Sequence, residues 1–117
     1  MPDADQLPEA VMTTVSELRA LEDGFLGPGS VAPKTEVLGK LLMVGADLAG
    51  RQVVPSWGGG VMIEWARHGC EFTAEIESNG QLFLCVDNTE TDELAEVERP
   101  FAVAELKQFL QHGSWND

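Results

Sequence analysis

Apolar residues recur at helical spacing in two segments of the N-terminal half, which predicts two helices. Pro8 suits the first turn of the first helix, and Gly24 marks its expected end. Pro33 opens the second segment and Gly50 is expected to end it, although Gly39 and Gly45 inside it each cost a helix about 1 kcal/mol relative to Ala. That cost argues against one continuous helix unless close packing offsets it. The apolar stripes are Val11, Val15 and Leu18 in the first segment and Val37, Leu38, Leu41, Leu42 and Leu48 in the second.

Strand character follows in residues 60–88, where three runs are separated by His68-Gly69 and Asn79-Gly80. An Asn-Gly pair readily supplies the positive φ angles of a two-residue type I′ turn. We therefore expect Ser78 to lie opposite Gln81. By the same argument, the first turn places residue 67 opposite residue 70.

This register predicts one apolar face and one acidic face of the sheet. The apolar face would contain Val61, Ile63 and Trp65, then Phe72, Ala74 and Ile76, then Phe83, Cys85 and Asp87. The acidic face would contain Met62, Glu64 and Ala66, then Glu71, Thr73, Glu75 and Glu77, then Leu82, Leu84 and Val86. The third run is thus apolar on both faces, and such a strand needs cover. A helix of this chain is the cover that we favour, and another chain is the alternative.

The segments around this meander complete the predicted fold. Residues 51–54 form a candidate short strand, and the alternation over residues 93–98 predicts a returning strand. A closing amphipathic helix is marked by Phe101, Leu106, Phe109 and Leu110, with Gly113 as its end. We predict an α+β fold in which an antiparallel three- to four-stranded β-meander packs with two N-terminal helices and one C-terminal helix.

Length and composition fit one folded unit. The 117 residues are 44% hydrophobic and 23% charged, so we expect a single domain over residues 1–117, with residues 1–7 and 114–117 as frayed tails. The N-terminus has no signal-peptide pattern and no run of about 18 apolar residues occurs, which predicts a cytoplasmic protein. Cys70 and Cys85 are too far apart in the predicted register to form a disulfide.

Charge narrows the classes of partner. Twenty Asp and Glu against seven Lys and Arg give a formal net charge of −13, which repels nucleic-acid phosphates and anionic membranes. We therefore expect no direct binding to nucleic acid and none to a membrane. The acidity either keeps a small protein soluble or attracts a protein with a basic surface.

Candidate catalytic and metal-binding groups do not form a recognised pattern. His68, Cys70, Cys85 and His112 lack the spacing of metal ligands, and nothing orients His68 toward Cys70 as a catalytic pair. The glycine run at residues 58–60 lacks the Lys and Ser/Thr of a phosphate-binding loop. We expect no metal, no cofactor and no enzymatic activity.

A short motif in the meander carries a resemblance to a known group. Gly59-Gly60 precedes an apolar strand that ends in Glu64-Trp65, and an acidic strand then leads to Asn79-Gly80. This pattern resembles uncharacterised small bacterial and phage proteins over about a quarter of the chain. The resemblance implies a similar meander and an origin in a mobile element, and it implies no established activity.

These features favour a non-enzymatic acidic protein-interaction module, with phage-encoded inhibition of a host or defence protein as one setting. One alternative is a small enzyme or ligand-binding protein with a pocket between sheet and helices that uses Trp57, Glu64 and His68. A second alternative is a structural homo-oligomer, most simply a homodimer, with Leu82 and Leu84 at its interface. Trp65 reads as a core residue, whereas Trp57 and Trp115 are candidates for a partner contact. The predicted partner-binding residues are Glu64, Glu71, Glu75, Glu77, Trp57, Leu82 and Leu84.

Overall fold

The structure, a computed structural model, describes residues 8–115 and contains helices on one face of a single sheet. Of the predicted tails at residues 1–7 and 114–117, residues 1–7 and 116–117 lie outside the described residues. The helices are α1 (Glu9–Arg19), α2 (Thr35–Val44), a 3₁₀ helix (Gly45–Leu48) and α3 (Val103–His112). The strands are β1 (Gln52–Pro55), β2 (Val61–Arg67), β3 (Cys70–Ile76), β4 (Gln81–Asn88) and β5 (Glu93–Pro100).

The two predicted N-terminal helices are present, and their apolar stripes are buried except for Leu42, which is half-buried. The second ends earlier than its apolar pattern does, because Gly45 takes φ 67° and ψ −131°, a conformation outside the helical region. One 3₁₀ turn then places Leu48 in the core. The glycine that argued against a continuous helix is therefore the residue at which α2 stops.

The sheet has five strands, rather than the three to four predicted, in the order β1-β2-β3-β4-β5 with every pair antiparallel. The additional strand is β1, which spans only four residues. Its ladder to β2 ends where Pro55 lies opposite Val61.

The turn between β2 and β3 has the predicted geometry. His68 (φ 51°) and Gly69 (φ 76°) both adopt positive φ, as a type I′ turn requires, and Arg67 pairs with Cys70. The predicted register of this hairpin is confirmed.

The turn between β3 and β4 differs from the prediction by one residue. Only Gly80 adopts positive φ (89°), so Asn79-Gly80 cannot form a type I′ turn. Glu77 N–H donates to the carbonyl of Gln81 at 3.0 Å, and Gly80 N–H donates to the carbonyl of Glu77 at 3.2 Å. These bonds define a three-residue loop, and the Asn79 side chain stabilises it by accepting from Gln81 N–H at 3.0 Å. The predicted pairing of Ser78 with Gln81 is wrong.

This slip exchanges the two faces of β4. Ile76 lies opposite Leu82 and Ala74 opposite Leu84, so both leucines face the helices and are fully buried. The apolar strip of β4 that was predicted to need cover is thus covered by helices of this chain. Leu82 and Leu84 therefore do not belong to the surface predicted to meet a partner. The residues that replace them on the other face are Phe83, Cys85 and Asp87.

An aromatic cluster joins α3 to the sheet. Trp65 and Phe72 stack with ring centroids 5.1 Å apart, and Phe109 packs edge-on against both. Trp115 contacts Phe109 with centroids 5.8 Å apart, so it is packed against the core rather than frayed as predicted. Arg51 lies over Trp65 at 4.5 Å and donates to the carbonyls of Asp47 and Leu110, which ties the 3₁₀ segment to α3.

The two cysteines are free and lie on opposite faces of the sheet. Cys85 is opposite Thr73, three residues along β3 from Cys70. The predicted absence of a disulfide therefore holds, although the register behind that prediction was wrong. No helix within residues 8–115 has the length and apolar character needed to cross a membrane.

Candidate functional site

The sheet face that points away from the helices, called the outer face below, is not covered by any described element of the chain. Side chains alternate along each strand, so the inner positions of β2, β3 and β4 enter the core while the others point outward. None of the outward positions on the five strands is buried. The outer face is therefore a surface that the fold leaves open across all five strands.

Acidic side chains dominate this face. Three lie on β2 and β3, one directly after β3, one on β4 and two on β5, seven in all, and the outward strand positions contain no Lys or Arg. The corrected register adds three carboxylates to the four that the sequence placed there. The seven are Glu64, Glu71, Glu75, Glu77, Asp87, Glu96 and Glu98.

Three of these carboxylates surround Phe83 at the β3–β4 turn. Glu75 and Glu98 lie directly opposite Phe83 on its two neighbouring strands, and Glu77 follows at the end of β3. Burial raises the pKa of Glu77 to about 7, and a hydrogen bond to Glu98 and the negative charges of Glu98 and Glu75 add to the effect. Its Oε2 atom finds no hydrogen-bond donor within residues 8–115. This corner of the face therefore brings three carboxyl groups close together, and their proximity opposes ionisation of Glu77.

Apolar side chains are interspersed with the carboxylates. Phe83 and Met62 are half-buried, and Leu94 on β5 is 59% exposed. Protein-binding surfaces commonly combine such apolar and aromatic groups with charged ones. The face can therefore provide apolar contact as well as charge.

Cys85 lies in the middle of the outer face between Thr73 and Glu96. Burial raises the pKa of its thiol, and the charges of Glu96 and Asp87 raise it further. Because the thiolate is the reactive form, this environment opposes a nucleophilic role.

Trp57 is 52% exposed, in the loop between β1 and β2, and its ring lies against Gly27 and Gly29. Val31 N–H donates to the Trp57 carbonyl at 2.8 Å, which ties this loop to the segment before α2. A partner contact at Trp57 stays a prediction. The adjoining glycine run has a packing role, because Gly60 lies against the backbone carbonyl of Ile76 with no space for a Cβ.

The residues of the ligand-binding alternative do not come together. Trp57 precedes β2, His68 follows it, and Glu64 points to the outer face, away from the helices. β2 has seven residues, so its two ends are roughly 20 Å apart. Two spaces lie between α1 and β1, one of about 60 Å³ beside the 3₁₀ segment and one open groove of about 300 Å³, and neither is lined by any of these three residues.

The outer face contains an open groove beside its acidic side chains. An open groove of about 320 Å³ lies over β1, β2 and β3, lined by residues that include Gln52, Glu64 and Glu71. Within residues 8–115, no three His, Cys, Asp or Glu side chains lie close enough together to hold a metal ion. The groove is open to solvent rather than an enclosed pocket.

Comparison with protein-family models, with curated proteins and with solved structures finds no match. The resemblance to small bacterial and phage proteins stays a prediction.

The residues that the sequence reasoning missed are Phe83, Asp87, Glu96 and Glu98. Their signal was the alternation of Leu94, Glu96 and Glu98 along the last strand, which already placed two carboxylates on one face of it. Assigning that face requires the register of β4, which differs by one residue from the register of the predicted type I′ turn.

Proposed function

We propose that this chain is a non-enzymatic protein-interaction module whose outer face binds a basic surface of another protein. One observation carries the proposal: the five-stranded sheet is covered by helices on one face only, and the open face combines seven carboxylates with apolar side chains. Complementary charge would speed association and select basic partners, and desolvation of Phe83 and its apolar neighbours would slow dissociation.

The same charge argues against self-association through this face. Two copies packed face to face would bring like carboxylates together, which costs free energy at each close pair. The homo-oligomer alternative is weakened further because Leu82 and Leu84, its proposed interface, are buried in the core. Inhibition of a host or defence protein, suggested by the resemblance to phage proteins, is a setting in which such a surface would act.

The experiment compares two variants of equal net charge. In the face variant, Glu64, Glu71 and Glu75 are replaced by Gln. In the control variant, the same replacement is made at Glu9, Glu17 and Glu36, which are exposed on α1 and α2. Proteins captured from lysate by the wild-type chain are identified and purified, and their dissociation constants are measured for all three chains at two salt concentrations.

We expect a basic partner that binds the face variant at least tenfold more weakly, binds the control variant within threefold of wild type, and loses affinity as salt rises. Equal weakening by both variants would reduce the effect to net charge and reject the outer face as the site. A partner that is not basic, or that binds all three chains equally, would also reject the proposal.

A further inference from the structure

The fifth strand leaves one edge of the sheet open. β5 is the last strand in the sheet order and pairs with β4 over eight positions, from Glu93 opposite Asn88 to Pro100 opposite Gln81. Residues 93–96 are exposed, and no described element covers the other side of the strand. An uncovered strand edge of this length is a template for pairing with another extended chain.

The alternation of hydrogen bonds between β4 and β5 shows which backbone N–H and C=O groups of β5 point to the open edge. Phe101 N–H donates to the carbonyl of Gly80 at 2.9 Å, and Thr89 N–H donates to the carbonyl of Gly69 at 2.9 Å. Because bonding positions alternate along antiparallel strands, residues 93, 95, 97 and 99 bond to β4. Leu94, Glu96 and Glu98 then direct their N–H and C=O groups to the open edge. Pro100 occupies the next such position, where a missing N–H breaks no bond to β4.

The opposite edge of the sheet, at β1, offers fewer backbone groups for pairing. β1 has four residues, and Ser56 N–H donates to the carbonyl of Gly60 at 3.1 Å, so Val53 and Pro55 point to the free side of β1. Since proline has no N–H, β1 offers only the Val53 donor there. Strand addition is therefore favoured at β5.

Charge identifies the class of strand that fits. The side chains of Leu94, Glu96 and Glu98 lie on the outer face, and in an antiparallel ladder they stand directly beside the paired residues of an added strand. A second copy of β5 centred on Glu96 or on Val97 would place Glu96 beside Glu96 or beside Glu98, which is unfavourable. An added strand with cations at two alternate positions and an apolar residue two positions later would match all three side chains.

We propose that β5 receives an antiparallel strand from its partner, with Lys or Arg opposite Glu98 and Glu96 and an apolar residue opposite Leu94. This inference rests on the proposed function and deepens it, because it states how the basic partner docks. The added strand would extend the sheet by one strand and place its cations beside the carboxylates of the outer face.

The test uses two capped synthetic peptides and nuclear magnetic resonance of the isotope-labelled chain. The matching peptide is Thr-Lys-Thr-Arg-Thr-Val-Thr, and the control peptide, Thr-Lys-Arg-Thr-Thr-Val-Thr, has the same composition but directs its two cations to opposite faces. In the free chain, the amides of Leu94, Glu96 and Glu98 should exchange with solvent faster than those of Ala95 and Val97. The matching peptide should slow the exchange of the three edge amides and bind about tenfold more tightly than the control peptide.

Two variants separate the backbone contribution from the side-chain contribution. Leu94→Pro removes one edge donor without changing charge and without breaking the ladder to β4, so it should lower the affinity for the matching peptide about tenfold. Leu94→Ala, its control, should lower that affinity less than threefold.

The outcomes distinguish this inference from the proposed function. Equal binding of both peptides, with signal changes spread over β2 and β3 and no effect of Leu94→Pro, would overturn strand addition while leaving the acidic face as a binding surface. Absence of binding by either peptide would also overturn it, and the proposed function would then be decided separately by the charge-matched variants.

Discussion

The register of β4 can be tested by truncating two neighbouring residues, Leu84 and Phe83. Leu84 is fully buried on the inner face, between Ala74 on β3 and Val97 on β5. Truncation of a buried leucine to alanine leaves a cavity and costs about 2.7–5 kcal/mol, so we expect Leu84→Ala to lower the free energy of unfolding by about 3 kcal/mol. At roughly 4 °C per kcal/mol for a chain of this size, the midpoint of thermal unfolding would fall by about 12 °C.

Phe83 is half-buried on the outer face, where solvent can occupy the space that its ring vacates. Phe83→Ala should therefore cost only about 1 kcal/mol, although phenylalanine is the larger residue. Both free energies of unfolding are measured by urea unfolding followed by circular dichroism. Equal slopes of the free energy against urea concentration would show that both variants expose the same amount of surface on unfolding. In the register expected from an Asn79-Gly80 type I′ turn, the order reverses and Phe83→Ala costs about 3–5 kcal/mol. A larger loss for Phe83→Ala than for Leu84→Ala would refute the fold as described.

Two further predictions concern a titrating carboxylate and a packed glycine. The pKa of Glu77 is raised from 4.5 to about 7, so folding favours its protonated form. Its contribution to the free energy of unfolding is therefore fully present below pH 4.5 and is lost as pH rises to 7. Wild type should lose about 1 kcal/mol over that range after allowance for solvent screening, and urea unfolding at several pH values should show a smaller loss for Glu77→Gln. Gly60→Ala should cost about 1–3 kcal/mol in urea unfolding because its Cβ meets the Ile76 carbonyl, whereas Gly58→Ala, with open space around it, should cost less than about 0.5 kcal/mol.

Much of the fold was predictable because local patterns and tertiary packing agree. The stripes of α1 and α2 are buried as their spacing predicts, and the His68-Gly69 turn has the predicted type. The helical order and the α+β class follow from these patterns. The β1 strand was harder to predict, because four residues followed by Pro55 carry little periodic signal and the pairing with β2 stabilises them.

The error at Asn79-Gly80 has a specific physical cause. The same dipeptide can occupy both central positions of a type I′ turn, or it can end a three-residue loop in which only the glycine needs positive φ. The choice depends on which side chains of β4 the helices bury. Leu82, Leu84 and Val86 fill the inner face better than Phe83, Cys85 and Asp87, since the latter set would place a carboxylate against the core. The burial of the apolar strip of Leu82, Leu84 and Val86 therefore decides the register, and the turn motif alone does not.

Three of the four carboxylates predicted on the acidic face kept their places because they depend on the first hairpin alone. Glu64, Glu71 and Glu75 are set by the Arg67–Cys70 pairing and are independent of the second turn. Moving β4 by one residue therefore removed two leucines from the expected docking surface without disturbing its acidic part. It also placed Phe83 and Asp87 on the outer face, whereas the type I′ register had put them on the apolar face.

The acidity of the outer face affects the free chain and its complex in opposite directions. Burial of Glu77, together with the negative charges of Glu98 and Glu75, opposes its ionisation in the free chain at neutral pH, which is expressed in the raised pKa of Glu77. In the proposed complex, a basic partner would supply a counter-charge, lower that pKa and release a proton from Glu77 on binding. Affinity should then increase as pH rises toward 7, over the same range in which the free chain becomes less stable. The charge arrangement that opposes folding at this corner would therefore favour the proposed bound state, which would give the concentration of carboxylates on one face a physical role beyond solubility.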